Sequence, residues 1–184
     1  MPDSNDAPLV DPREFRNVMG RFATGVAILS FVRDGRPAGI TVNSFLSISL
    51  DPPLVLVSLA RGSSFTSCVR EGDRYGVSFL SEGQEQLSAH FAGRPVEGMA
   101  VDYTHQLDTP LIDGSLAHVV ARVVDIHPAG DHSLFIAQVE YLWQGAEAKP
   151  LIFYSGKYKQ IHAHEPDVYW GAVEGAVEGF ERFE

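Results

Sequence analysis

Residues 25–41 read Gly25-Val26-Ala27-Ile28-Leu29-Ser30-Phe31-Val32-Arg33-Asp34-Gly35-Arg36-Pro37-Ala38-Gly39-Ile40-Thr41. Gly25 to Val32 is rich in Val, Ile and Phe, the residues that fit a pleated, half-buried surface. Asp34-Gly35, flanked by Arg33 and Arg36, is the pairing that a two-residue hairpin turn demands. Ala38 to Thr41 starts the returning strand. A tight antiparallel hairpin therefore sits early in the chain, and the question is how far the strand pattern extends on either side.

Toward the N-terminus the pattern changes to a helix. Asp11 is placed as an N-cap, Pro12 at the first helical position and Glu14 three after the cap. Phe15, Val18, Met19 and Phe22 follow as one apolar stripe. Residues 1–10 are polar and expected to be disordered.

Toward the C-terminus strands dominate. Phe45 to Leu50 alternates Leu46, Ile48 and Leu50 against Ser47 and Ser49. Asp51-Pro52-Pro53 breaks the chain, because proline cannot donate to a ladder. Leu54 to Leu59 reads as a strand buried on both faces. Ser63 to Arg70 is a short Ser-capped helix, Tyr75 to Leu80 a strand, and Gln84 to Phe91 a helix with Leu87 and Phe91 on one side. Residues 92–110 read as irregular loop. Leu116 to Ile126 and Ser133 to Trp143 form a long hairpin with an elaborated tip over His127-Pro128-Ala129-Gly130-Asp131-His132, and Leu151 to Tyr154 is a last short strand. About eight strands and two or three helices, mostly linked by turns, predict a mainly β fold: a closed or nearly closed antiparallel barrel with helices outside it. The tail, residues 163–184, carries a small repeat, Gly171-Ala172-Val173-Glu174 and Gly175-Ala176-Val177-Glu178, with a helical pattern weakened by its glycines.

Composition narrows the function. The chain has 184 residues, 45% hydrophobic and 21% charged, with a net charge of -10; that balance suits one globular domain and not a nucleic-acid binder, which needs a basic face. The single cysteine, Cys68, signals no disulfide framework, so a cytoplasmic location is the default. No apolar run approaches membrane-spanning length. Dinucleotide and phosphate-loop glycine motifs are absent, as is a G-x-S-x-G nucleophile elbow. His162-x-His164 is the one tight histidine pair and lacks partner ligands, so no metal site is expected. What remains is hydroxyl and amide groups at strand ends: Thr41, Asn43 and Ser44, then Ser58 with Arg61, Ser63, Ser64 and Thr66. Such groups suit a flavin's phosphate and pyrimidine edge, and they suit ordinary turn chemistry equally.

The segments Phe22-Ala23-Thr24-Gly25-Val26, Gly39-Ile40-Thr41-Val42-Asn43-Ser44-Phe45, Ser49-Leu50-Asp51-Pro52-Pro53-Leu54-Val55, Gln86-Leu87-Ser88-Ala89-His90-Phe91, Gly130-Asp131-His132 and Pro150-Leu151-Ile152-Phe153-Tyr154-Ser155-Gly156-Lys157-Tyr158 together resemble the flavin reductase family with the FMN-binding split-barrel fold. The likeness runs over roughly residues 11–160, in the family's order. It implies a Greek-key-like split barrel over 11–162 with a few peripheral helices. It also implies an NAD(P)H-dependent reductase that reduces FMN or FAD and supplies it to a separate flavin-dependent oxygenase, working as a homodimer without nucleic acid or membrane. The resemblance places Thr41, Val42, Asn43 and Ser44 against the isoalloxazine and ribityl chain. Ser58, Leu59, Ala60, Ser64 and Phe65 fall at the ribityl and phosphate end, with His90 and Phe91 as a further flavin-contacting pair. His132 becomes the candidate catalytic residue on the nicotinamide side, with NADH or NADPH seated by Phe153, Tyr154, Ser155 and Gly156. Where the family commonly has a glycine five residues after that histidine, this chain has Ala137. Without the resemblance, His132 reads as a hairpin cap, and Phe65 and Phe91 read as core residues. A flavin-binding barrel without reductase activity is the rival expectation; an oxidase of pyridoxine phosphate lacks a suitable basic cluster here.

Overall fold

A computed structural model describes residues 10–161; the expectations for residues 1–9 and for the tail from His162 onward lie outside the described residues. In chain order the elements are α1 (Pro12–Met19), β1 (Thr24–Gly25), β2 (Ala27–Arg33), β3 (Arg36–Val42), β4 (Phe45–Leu50), β5 (Pro53–Ala60), α2 (Ser64–Cys68), β6 (Arg74–Phe79), a 3-10 turn (Glu82–Gln84), α3 (Glu85–Phe91), β7 (Tyr103–Gln106), β8 (Thr109–Ile112), β9 (Ala117–Ala129), β10 (His132–Gln144), β11 (Ile152–Tyr154) and β12 (Lys157–Lys159). The first helix starts where the sequence places it. The Asp11 carboxylate accepts from the backbone N–H of Arg13 and Glu14, each at 2.9 Å, and satisfies two orphan donors of the first turn. Asp34 and Gly35 both adopt positive φ, 52° and 72°, as a tight hairpin between right-twisted strands requires.

Seven strands form one antiparallel sheet in the order β3-β2-β6-β9-β10-β5-β4. Its two end strands, β3 and β4, are consecutive in the chain and joined only by Asn43 and Ser44. Three Cα–Cα steps span at most about 11 Å, so the two ends of the sheet must lie side by side. No ladder joins them. The result is an antiparallel barrel split along the β3–β4 seam, as the resemblance implied.

The barrel is filled from alternate positions of its strands. Ala27, Leu29 and Phe31 from β2, Val55, Val57 and Leu59 from β5, Val119, Ala121 and Val123 from β9, and Phe135 and Ala137 from β10 share one buried cluster. Phe65 of α2 enters this core fully buried and meets Phe31, Tyr75 and Phe135 edge-to-face at 5.1–5.3 Å. α2 thus sits against the barrel with its single buried side chain, Phe65, reaching into the core. Ala137, where the family has glycine, spends its methyl group in this core beside a bulge in β10.

The outer face of β2 is covered as well, which explains its unbroken run of buried residues from Ala27 to Phe31. Val26 and Ile28 pack with Leu80, Ile112 and Leu151 in a second cluster, joined by Leu87 and Phe91 of α3. Two buried serines hold β8 there: the Ser30 hydroxyl donates to the Pro110 carbonyl, and Ser78 Oγ accepts from the Ile112 N–H at 2.9 Å. Gly76 makes that approach feasible, because a Cβ there would stand 2.5 Å from the Pro110 oxygen.

Four readings need correction. The stretch 92–110 contains β7 and the start of β8, whose turn at Leu107 and Asp108 takes positive φ, 50° and 60°, without glycine. The long hairpin has no elaborated tip: β9 runs to Ala129 and β10 starts at His132, leaving only Gly130-Asp131 between them. β5 is buried on one face only; Val55, Val57 and Leu59 point inward while Leu54, Leu56 and Ser58 are half-exposed. β12 is an extra strand, and the described strands number twelve where about eight were expected. Among the described residues, no helix is long and apolar enough to cross a membrane.

Candidate functional site

The split leaves the seam residues with backbone and side chains that the ladder does not consume. Val42 turns inward and is buried, and Asn43 is exposed. The Ser44 hydroxyl donates to the Ser58 carbonyl at 2.7 Å, and the Ser58 N–H donates to the Ser44 carbonyl at 3.3 Å. Beside the seam lies a cleft of about 690 Å³, mostly apolar, whose wall includes Asn43, Ser44, Leu46, Phe22 and Thr24. Among the described residues the buried Thr24 hydroxyl has no hydrogen-bond partner, which costs about 1–3 kcal/mol.

A second group gathers at the tip of the long hairpin. The ladder between β10 and β5 sets His132 opposite Ala60 and Leu134 opposite Ser58. The Arg61 N–H donates to the Asp131 carbonyl at 3.1 Å and ties the start of the α2 loop to the turn. His132 Nδ1 lies 2.7 Å from Asp131 Oδ1. The hydrogen bond from His132, and then its charge, hold the Asp131 carboxyl below the usual carboxylate range. An ionised carboxylate only accepts, so the Nδ1 proton stays on His132 and Nε2 is the nitrogen left for other contacts. Ser64, at the start of α2, is half-buried next to this group in sequence.

The third group lies on α3 and the β11–β12 hairpin. Thr41 Oγ1 donates to the Ser88 carbonyl at 2.7 Å, which docks α3 on β3. Phe91 lies on Gly39 of β3: a Cβ at Gly39 would come within 2.9 Å of two Phe91 ring carbons. His90 meets Phe91 edge-to-face at 5.0 Å, and its Nδ1 accepts from the Val96 N–H at 3.1 Å. Phe153 pairs with Thr24 across β11 and β1 and packs on Tyr158. Ser155 and Gly156 form the turn with φ of 49° and 75°, and the Ser155 N–H donates to the Gly20 carbonyl at 2.8 Å. The Tyr154 hydroxyl accepts from Arg21 at 3.4 Å; that hydrogen bond and the guanidinium charge pull its phenol below the ordinary value.

The candidate residues thus fall into groups linked through the four-residue run Thr41 to Ser44. Asn43, Ser44, Ser58, Ala60 and His132 belong to the β4–β5–β10 side; Thr41, His90, Phe91 and Phe153 to Gly156 belong to the α3 side. The Phe65 ring is consumed by the aromatic core, and the side chains of Val42 and Leu59 are likewise inside it, which leaves only the backbone of all three for a ligand. Sequence reasoning assigned no role to Thr24, although it lies in the first matching motif; the change from helix to strand there drew attention to the turn and not to the hydroxyl. Ser88 and Tyr158 were also without a role, and no pattern in the sequence shows that they meet. Among the described residues, no three His, Cys, Asp or Glu side chains group as metal ligands.

Comparison with known proteins adds five findings. The flavin reductase-like domain family matches residues 19–162. An NADH-dependent flavin reductase of a Rhodococcus species is 40% identical over 167 residues, covering 89% of this chain and 94% of the relative. The reductase component of a 4-hydroxyphenylacetate 3-monooxygenase from Thermus thermophilus is 33% identical, covering 80% of this chain and 95% of the relative. Among solved structures, the flavin reductase PheA2 in its native state superposes with a TM-score of 0.80 at 39% identity, covering 84% of this chain and all of that one. The Streptomyces globisporus NADH:FAD oxidoreductase SgcE6, in complex with NAD and FAD fragments, superposes with a TM-score of 0.78 at 31% identity, covering 87% of this chain and all of that one.

Proposed function

Because this chain belongs to the flavin reductase-like family, we propose that its seam, hairpin tip and β11–β12 turn bring a flavin and a reduced nicotinamide together. The protein reduces FMN or FAD with NADH and supplies the reduced flavin to a separate oxygenase component. The observation that carries the reading is the cleft at the seam: an apolar slot with the polar residues Asn43 and Ser44 on its wall. A planar heteroaromatic ring with a polar edge needs that combination, and so the residues present fit a flavin.

When bound, the flavin supplies the hydride-accepting chemistry, and the nicotinamide supplies the hydride. The protein's part is orientation. Asn43 and Ser44 hold the polar edge of the ring; the Ser44–Ser58 hydrogen bonds fix that loop to β5. Backbone groups at Leu59 and Ala60, with Ser58 and Ser64, take the ribityl and phosphate end. His90 and Phe91, the latter seated on Gly39, would meet the flavin from α3. His132 orients the nicotinamide, and Asp131 fixes its ring and tautomer. Tyr154, Ser155 and Gly156, following Phe153, seat the rest of the nucleotide. No side chain need serve as a nucleophile; the protein would gain rate by positioning the two reactants.

The exposed apolar residues support a homodimer. The edge strand β4 presents Leu46, Ile48 and Leu50 outward, and α1 presents Phe15, Val18 and Met19, none of them buried in one chain. Phe22 and Leu46 line the same cleft, so a second copy covering these residues would also close the flavin site.

The test is NADH oxidation by purified protein with and without added FMN or FAD. Oxidation that requires added flavin supports the reading; absence of both flavin binding and turnover removes it.

A further inference from the structure

Ser88 sits in the middle of α3 and is fully buried. A serine inside a helix ordinarily turns its hydroxyl to solvent or back onto its own helix. This one reaches across the fold: Ser88 Oγ lies 2.7 Å from Tyr158 Oη on β12, seventy residues away in sequence. The same residue's carbonyl accepts from Thr41 Oγ1 at 2.7 Å. Ser88 is therefore the point where β3, α3 and β12 meet.

The strand it holds has little else. β12 is three residues long and lies at the edge of a three-stranded sheet in the order β1-β11-β12. So short a ladder is weak by itself. Among the described residues, the Tyr158 hydroxyl makes the single side-chain hydrogen bond of β12. The Tyr158 ring packs on Phe153 at 5.8 Å, and both join the cluster that contains Leu87 and Phe91 of α3. One end of this assembly carries Thr41, His90 and Phe91 on the flavin side. The other carries the Phe153 to Gly156 turn on the nicotinamide side.

We infer that the buried Ser88–Tyr158 hydroxyl pair is a positioning element that sets the nicotinamide-seating turn at a fixed distance from the flavin-contacting helix. It touches neither cofactor. It acts by holding β12, and through β12 the turn, in one place. This rests on the assignment of the two cofactor segments made above. A displaced turn would misalign the nicotinamide while leaving the flavin wall, which Thr41 and Gly39 hold separately, in place.

The test compares Tyr158→Phe, which keeps the ring and removes the hydroxyl, with Ser88→Ala and with the double variant. The inference expects kcat/KM for NADH to fall about tenfold in each, since small misplacements remote from the chemistry are costly. FMN affinity, read by fluorescence quenching, shifts less than about twofold. The double variant is no worse than either single, because the two hydroxyls act as a unit. Hydrogen exchange quickens over residues 152–159 and not in β2 or β9. A kcat/KM for NADH within about twofold of the parent, equal loss of NADH and FMN dependence, or unchanged exchange in the hairpin would each overturn it. A parent protein that exchanges as described but oxidises no NADH with any flavin would instead overturn the functional assignment of the two segments, and the inference with it.

Discussion

His132 shows how a single residue acquires a role from its surroundings. Its place one step past the Gly130-Asp131 turn is compatible with simple hairpin capping. The exposed Asp131 carboxylate, 2.7 Å from Nδ1, favours the tautomer that leaves Nε2 for other contacts. Replacing His132 with alanine is expected to raise KM for NADH about tenfold, equivalent to about 1.4 kcal/mol, while flavin affinity changes less than twofold; equal loss of both would remove the assigned role. Asp131→Ala should give a smaller rise in the same parameter, read in the same assay, because the ring remains and only its orientation is released. At this scale the sequence marked Asn43, Ser44 and His132 as candidates only through the motifs of the resemblance. It was uninformative where role depends on side-chain direction. Phe65 carries the same apolar ring whether it faces a ligand or a core, and only the three aromatic neighbours around it decide.

Elements extend the same contrast. The β2–β3 hairpin was legible because Asp34-Gly35 is the turn its backbone requires, and α1 was legible from its cap. The β7–β8 hairpin was not, because Leu107 and Asp108 take a left-handed conformation that neither residue advertises, and because four-residue strands show too little alternation to stand out from loop. Packing between elements yields two expectations. Gly39→Ala would drive a methyl group to within 2.9 Å of the Phe91 ring. Such overpacking costs about 1–3 kcal/mol, so thermal unfolding should shift down by several degrees and flavin affinity should fall with it. The second concerns Glu140 of β10, which binds Arg74 of β6 and Arg122 of β9 at 2.5 and 2.7 Å. The Arg74 hydrogen bond first, then that of Arg122, hold its carboxyl below the usual range. A depressed folded value means the contribution is complete above the ordinary glutamate value and is lost as pH falls through the folded one. These groups are partly exposed, so Glu140→Gln should cost only about 0.5–1 kcal/mol at neutral pH. The gap between parent and variant in denaturant titrations should close in acid, and a gap that widens there would contradict the ion-pair account.

Across the whole molecule, the split barrel and the cleft beside its seam form one device. Two consecutive strands end the sheet, and the two residues between them, Asn43 and Ser44, line an apolar cleft. The exposed faces of β4 and α1 then call for a second copy. Sedimentation should give a particle of twice the 20.1 kDa chain mass. Leu46→Glu with Ile48→Glu should yield a folded monomer with weakened flavin binding, because exposed positions cost a single chain about 0.5 kcal/mol or less. A parent protein that is monomeric at micromolar concentration would contradict the dimer. If this chain reduces a free flavin with NADH by aligning the two, the initial rate of NADH oxidation, measured with NADH varied against free FMN and FAD, saturates in both reactants and vanishes when flavin is omitted; a rate independent of added flavin, or no oxidation with either flavin, would contradict that reading.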